Sequence, residues 1–299
     1  MLAAGNPPDA LKTSVAERRA QLEELMQLAG PLVPVARNED RSVPGAAGTM
    51  AVRIYTPQGA SGATLPGLVY FHGGGLVAGS IGTHDSIARA LAHAGACRVV
   101  SVEYRLAPEH PCPAALEDAL AAVGYIAAHA EEFGIDAARL GICGDSAGGT
   151  LAAACCQAAA RGGGPRLALL LLICPILDYS RSSASRREFA RGYLVEQATL
   201  DHDLMYYAPG MDPSDPRISP LRAADLGGLP PTLIHTAEFD PVRDEALDYF
   251  TRLTHAGSAV SYTCHAGMIH LFYGLGAVIP YARTAFEQIG AQIREALGS

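Results

Sequence analysis

From Gly67 onward short apolar runs alternate with amphipathic ones at regular intervals, and that rhythm narrows the fold more than any other feature of the chain. Gly67 to Phe71 (GLVYF), Cys97 to Tyr104, Leu140 to Cys143, Leu167 to Cys174, Thr232 to Thr236 and Ala259 to Cys264 are too short for helices. They are rich in the β-branched and aromatic residues that strands favour. Between them, Asp85 to His93, Ala114 to Glu131, Ala147 to Ala160, Val242 to Ala256 and Ala282 to Leu297 carry helical spacing. An apolar run that does not alternate suits a strand buried on both faces, and strand–helix alternation builds a mostly parallel sheet covered on both sides. The expected class is α/β, and the 299 residues read most economically as one domain.

Two segments break the rhythm. Upstream, Asp9 to Leu28 is helix-spaced, a Pro-rich stretch runs from Gly30 to Pro44, and Met50 to Tyr55 alternates like a strand. Downstream, Tyr179 to Pro220 is too long for a plain connection and holds a helical patch, TLDHDLMYY. Together the first 45 residues or so and about 179–220 are expected to form a lid over the remaining sheet.

The net charge of −8 argues against a nucleic-acid binder, which needs clustered Lys and Arg. Neither a signal-peptide pattern nor a long apolar segment is present, so the expectation is a cytoplasmic protein without a membrane partner. Seven cysteines fall mostly in apolar stretches, none at zinc-ligand spacing, and read as small core residues in a reducing compartment.

The chemistry concentrates at Gly141 to Thr150, GICGDSAGGT. Ser146 follows a strand-like run and opens a helix, with Gly144 and Gly148 two residues to either side. A sharp turn there lifts the hydroxyl out of the chain as a nucleophile and aims the next helix's first amides at the same point. Directly after the GLVYF strand comes His72-Gly73-Gly74-Gly75. Backbone amides without a Cβ in the way suit an oxyanion hole, and no Lys-Ser/Thr pair follows to suggest phosphate binding. Gly73, Gly74, Gly75 and Ala147 are the candidate oxyanion hole; the Gly74, Gly75 and Ala147 amides are the preferred donors, with Gly73 helping to shape the loop.

A serine nucleophile needs a base, and the base an orienting acid. Among ten histidines His270 stands in a loop after the last strand candidate, while His72, His235, His93, His129 and His255 belong to the glycine loop, a strand or helices. His84, His110, His202 and His265 read as structural or solvated. Asp240 closes the Thr232 strand at its carboxyl end; Glu238, Asp244 and Asp178 are rivals for the acid. Tyr193, Leu194, Met205, Tyr206, Phe239, Ile269 and Leu271 are candidate pocket walls. Arg181, Arg186, Arg187 and Arg191 read either as a solvated face or as an attractor for an anionic substrate.

These segments, with Tyr104 to Pro111 (YRLAPEHP), Pro113 to Asp118 (PAALED) and Asp240 to Asp244 (DPVRD), occur in an order that resembles the bacterial hormone-sensitive-lipase family of α/β-hydrolase esterases. The Gly-Asp-Ser-Ala-Gly form of the turn resembles the subgroup with an acid before the serine. The resemblance implies an α/β-hydrolase fold with an eight-stranded sheet, a helical cap, and metal-free, cofactor-free hydrolysis of short- to medium-chain acyl esters. Asp145 and Arg105 fall to structural hydrogen-bond networks. The chain departs from the family at Cys112, where phenylalanine is usual, and at Leu271, where glycine is common; the second is expected to narrow the pocket. Two other readings stay open: an amidase or peptidase on the same scaffold, and a non-catalytic small-molecule binding protein. An edge strand at Ala259 to Cys264 is a candidate homodimer contact.

Overall fold

A computed structural model describes residues 13–60, 64–162, 164–180 and 183–298. Its strands are β1 (Arg37–Gly45), β2 (Gly48–Thr56), β3 (Leu65–Phe71), β4 (Arg98–Val102), β5 (Ile135–Asp145), β6 (Leu169–Ile173), β7 (Thr232–Phe239) and β8 (Val260–Ile269). They form one eight-stranded sheet in the order β1-β2-β4-β3-β5-β6-β7-β8. The β1–β2 and β2–β4 pairs are antiparallel and every later pair is parallel.

Successive strand residues face opposite sides, so each strand feeds two cores. In β3, Val69 and Phe71 pack with α3 (Ala114–Ala128), α4 (Ala147–Gly162) and α7 (Arg243–His255). Leu68 and Tyr70 pack on the other side with α2 (Asp85–Gly95) and α8 (Tyr281–Leu297). All five residues of β6 are fully buried, which explains its unbroken LLLLI. At about 25 cal/mol per Å² of apolar surface, each such leucine contributes about 2 kcal/mol or more to folding.

The Pro-rich stretch assigned above to the lid needs correction. Arg37–Gly45 is the outer strand of the sheet, in register with β2 and joined to it through the Gly45/Gly48 turn. Its sequence, RNEDRSVPG, hides this because an outer strand with mostly solvent-facing side chains has no apolar run, and a proline is tolerated where one edge is unpaired. The preceding segment does contain a helix, α1 (Val15–Met26), capped by Ser14, whose Oγ accepts the Glu17 N–H while the Glu17 carboxylate accepts the Ser14 N–H. The helix expected from Asp9 begins outside the described residues. The 179–220 segment carries α5 (Ala184–Glu188) and α6 (Gln197–Tyr207).

All seven cysteines are free thiols. Cys97, Cys143, Cys155, Cys156 and Cys174 are buried as expected, whereas Cys112 is half-buried and Cys264, on the outer strand β8, is exposed. Among the described residues no helix is long and apolar enough to cross a membrane.

Candidate active site

Ser146 sits between the end of β5 and the start of α4 with φ of 50°, a left-handed conformation that costs an L-residue about 1–2 kcal/mol. The surrounding backbone holds it there. Its N–H donates to the Ile173 carbonyl at 2.9 Å, and its carbonyl accepts from Gly149 and Ile176 at 3.0 and 3.1 Å. A Cβ at Gly144 would overlap the Gly148 carbonyl, and one at Gly148 would overlap the Phe71 carbonyl, so both glycines are sterically required.

His270 directly follows β8 and Asp240 directly follows β7, which puts all three side chains at the carboxyl edge of the sheet. Ser146 Oγ lies 2.9 Å from His270 Nε2, and His270 Nδ1 lies 2.8 Å from Asp240 Oδ2. The other Asp240 oxygen accepts the Val242 N–H at 3.0 Å. His270 and Asp240 are 2 % and 0 % exposed, so their contact is unscreened by water. Burial pulls the His270 pKa down, but the charge of Asp240 and its hydrogen bond outweigh this and leave it raised. The rival acids are engaged elsewhere: Glu238 accepts the Gly267 N–H, Asp244 the Ser185 N–H, and Asp178 pairs with Arg222 and Ser180.

The glycine loop is anchored from below. Asp145, fully buried, accepts from the Tyr70 hydroxyl at 2.5 Å, the Gly73 N–H at 2.9 Å and the Tyr273 hydroxyl at 3.1 Å. Tyr104 stacks on the His72 ring at 4.4 Å and donates its hydroxyl to the His72 carbonyl at 2.6 Å. Because the Gly73 N–H is spent on Asp145, Gly73 is not available as an oxyanion donor and only shapes the loop. Gly74 and Gly75, at φ of 118° and 70°, carry N–H groups without a protein acceptor among the described residues. Ala147 is the first residue of α4, where an N–H has no partner inside the helix. Arg105, as expected, forms a two-pronged bond to Asp118 at 2.8 and 3.0 Å.

Ser146 and His270 open into a cavity of about 620 Å³. Of the candidate walls, Leu194, Ile269 and Leu271 line it, with Leu271 at φ of 62°. Tyr193 and Phe239 do not; they stack on each other at 5.8 Å and meet Phe189 edge-on. Met205 points to solvent at 54 % exposure, and Tyr206 packs edge-on against His202 instead of lining the cavity. The walls that sequence reasoning missed come from α1 and α6. Arg18, Gln21, Leu22 and Leu25 on one helix, and Thr199, Leu200 and Asp203 on the other, share helical faces that line the cavity. That spacing was visible in the sequence, but its mixed polarity was not an apolar stripe.

Arg186 answers to neither reading given to it: it is buried, with Nε and Nη2 bonded to Glu245 at 3.1 and 3.0 Å. Arg187 and Arg191 are exposed, and Arg181 lies outside the described residues. Among the described residues, Cys174, Asp240 and His270 form the grouping with metal-ligand chemistry, within 4.8 Å of one another. Two of its members already bond to each other.

A sheet of this order, with a serine on the turn after β5 and a histidine and an acid at the ends of β8 and β7, defines an α/β hydrolase. Residues 68–274 match the family model described as alpha/beta hydrolase fold. The chain is 39% identical over 285 residues to the carboxylesterase NlhH of Mycobacterium tuberculosis, covering 93% of this chain and 88% of that protein. Among solved structures, an ester-hydrolase from the metagenome of Lake Arreo superposes with a TM-score of 0.95 at 41% identity, over 99% of this chain and 94% of that one. A hyperthermophilic esterase from the archaeon Pyrobaculum calidifontis gives 0.90 at 36% identity, over 97% and 93%. The chain belongs to the α/β-hydrolase fold family, and the esterase resemblance of its motifs is borne out by these relatives.

Proposed function

We propose that this chain is a serine carboxylesterase hydrolysing short- to medium-chain acyl esters through an acyl-enzyme intermediate. That it is a carboxylic ester hydrolase follows from carboxylesterase relatives matched over most of its length. The residue roles rest on one observation: the unbroken hydrogen-bonded line from Ser146 through His270 to Asp240.

In this reading Ser146 Oγ attacks the ester carbonyl carbon as its proton passes to His270 Nε2, and the carbonyl electron pair moves onto oxygen. The amides of Gly74, Gly75 and Ala147 hold that oxyanion, each donor contributing about 3 kcal/mol. Asp240 keeps the imidazole in the tautomer that accepts at Nε2 and stabilises its cation. The leaving alcohol takes the proton from His270. Water then repeats the sequence on the acyl-enzyme and releases the acid. No protein residue outside these groups is needed for the proton and electron balance.

The helical lid belongs to the same proposal: α1 and α6 roof the cavity, and the acid-before-serine subgroup is supported by Asp145 anchoring the glycine loop. A cytoplasmic location accords with the free thiols. The outer edge of β8, unpaired in the sheet order, is the proposed contact for a second copy, which sedimentation velocity tests directly.

The deciding experiment compares wild type with Ser146→Ala on p-nitrophenyl butyrate and with a fluorophosphonate probe. Hydrolysis and labelling are both expected in wild type and lost in the variant; retained turnover in the variant would remove Ser146 from the mechanism. A matched amide series, expected to react far more slowly, separates esterase from amidase.

A further inference from the structure

The cavity over Ser146 has two unlike ends. Beside the imidazole stand Ile269 and Leu271, and Leu271 shares an apolar cluster with Leu25 and Leu194. Beside the glycine loop Leu22 stands against Gly74, and a polar cluster stands against Gly75. Arg18 Nη2 donates to Asp203 Oδ2 at 3.2 Å, His202 Nδ1 is 3.4 Å from Asp203 Oδ1, and His202 Nε2 is 2.9 Å from the Thr13 carbonyl. Asp203 stands directly against Gly75, since a Cβ at Gly75 would overlap its carboxylate. His202 and Asp203 are each 2 % exposed.

The mechanism assigns the two ends. His270 must reach the oxygen of the departing alcohol, so the alcohol lies on the imidazole side and the acyl chain turns toward the glycine loop and Arg18. Arg18 lines the cavity, and its side chain makes one hydrogen bond to the described residues, from Nη2 to Asp203; its Nε is shut off from solvent and from any ligand, so the remaining terminal N–H groups are the ones left for a substrate. A purely alkyl acyl chain would displace water from this guanidinium and return nothing, whereas a substrate oxygen would satisfy it. A formal anion is disfavoured, because Asp203, Glu196 and Asp145 line the same cavity against the single guanidinium.

We infer that the acyl side of the cavity is a subsite for an acyl chain carrying a neutral hydrogen-bond acceptor, a keto or hydroxyl oxygen, which takes an N–H of Arg18. The inference rests on the esterase reading above. It makes Arg18 a specificity-determining residue and Asp203 the group that orients it.

The test is a set of ethyl esters followed by acid release: pentanoate, levulinate, which adds a keto oxygen to a chain of the same length, and the succinate half-ester, which replaces it with a carboxylate. Wild type is expected to favour levulinate over pentanoate in kcat/KM by roughly tenfold or more, chiefly through KM. Arg18→Met is expected to bring that ratio near one, and Arg18→Lys to keep part of it, with thermal melting as the folding check. A wild-type ratio at or below one overturns the inference even if neither variant folds. So does a ratio that survives in Arg18→Met, or a preference for the succinate half-ester. Absence of turnover on every ester would instead bring down the esterase reading itself, so the two failures are distinct.

Discussion

The Asp240 carboxylate lies 2.8 Å from Nδ1 of His270, with both side chains out of solvent. Asp240→Asn keeps the shape but favours the wrong imidazole tautomer, and kcat is expected to fall by about three to four orders of magnitude. The pH profile carries the second readout. The proposed mechanism needs neutral His270, whose pKa burial lowers but Asp240 raises further, to a net value above the ordinary 6.5. The acid limb of kcat/KM in wild type is therefore expected above pH 6.5, and in the asparagine variant it should move to lower pH.

Gly75 offers a steric test of the glycine loop. Its φ of 70° and the Asp203 carboxylate both exclude a side chain. Gly75→Ala is expected to lower kcat by about a hundredfold or more by displacing a proposed oxyanion donor. Steady-state kinetics beside a urea melt will show a loss of rate far larger than the loss of stability accounts for.

Leu271 holds φ of 62° next to the base, where glycine would be unstrained. Leu271→Gly is expected to relieve about 1 kcal/mol of backbone strain, set against the loss of a leucine side chain that is 7 % exposed. It should also shift the chain-length optimum of the alcohol toward longer groups. Kinetics across an alcohol series that match wild type would dismiss Leu271 as a wall.

The Arg186–Glu245 pair ties α5, in the 179–220 segment, to α7, and the same carboxylate accepts the Leu177 N–H at 2.8 Å. Burial pushes the Glu245 carboxyl up to about 7 even with Arg186 beside it. Arg186→Met strands a buried acid and is expected to cost about 3 to 5 kcal/mol in a urea denaturation. Arg186→Met combined with Glu245→Leu should cost less than the single change.

His72, His84 and His235 are each pulled by burial from the ordinary 6.5 to about 3. Their folded pKa lies below the unfolded one, so the unfolded chain binds more protons as the medium acidifies. The stability they confer is complete above about pH 6.5 and is lost as pH falls toward about 3. His235→Gln is expected to flatten the fall of the urea midpoint with acidification relative to wild type.

Much of this was legible in the residues because the constraints were local. Ser146 declared itself through the glycines that its turn requires, and Asp240 and His270 through their place at strand ends. What escaped were features fixed at long range. β1 is held by pairing with β2 instead of by its own apolar content, so RNEDRSVPG read as part of the lid. The face that α6 turns inward was misjudged because Met205 and Tyr206 looked like pocket residues, while Thr199 and Asp203 line the cavity. Hydrophobicity alone was the wrong guide on a helix that covers a chamber of mixed polarity. Gly73 stood apart in the sequence as the loop-shaping glycine, but what claims its amide, the Asp145 side chain set by the neighbouring strand, was not legible there.

The bond from the Ser146 N–H to the Ile173 carbonyl fixes the nucleophile to the end of a strand buried on both faces, whereas the chamber above it is bounded by two separate helices. Reactivity and selectivity thus have different owners within one polypeptide. Redesign aimed at α1 and α6, sparing Asp203 where it meets Gly75, is therefore expected to retarget the proposed acyl side while the serine turn beneath stays untouched.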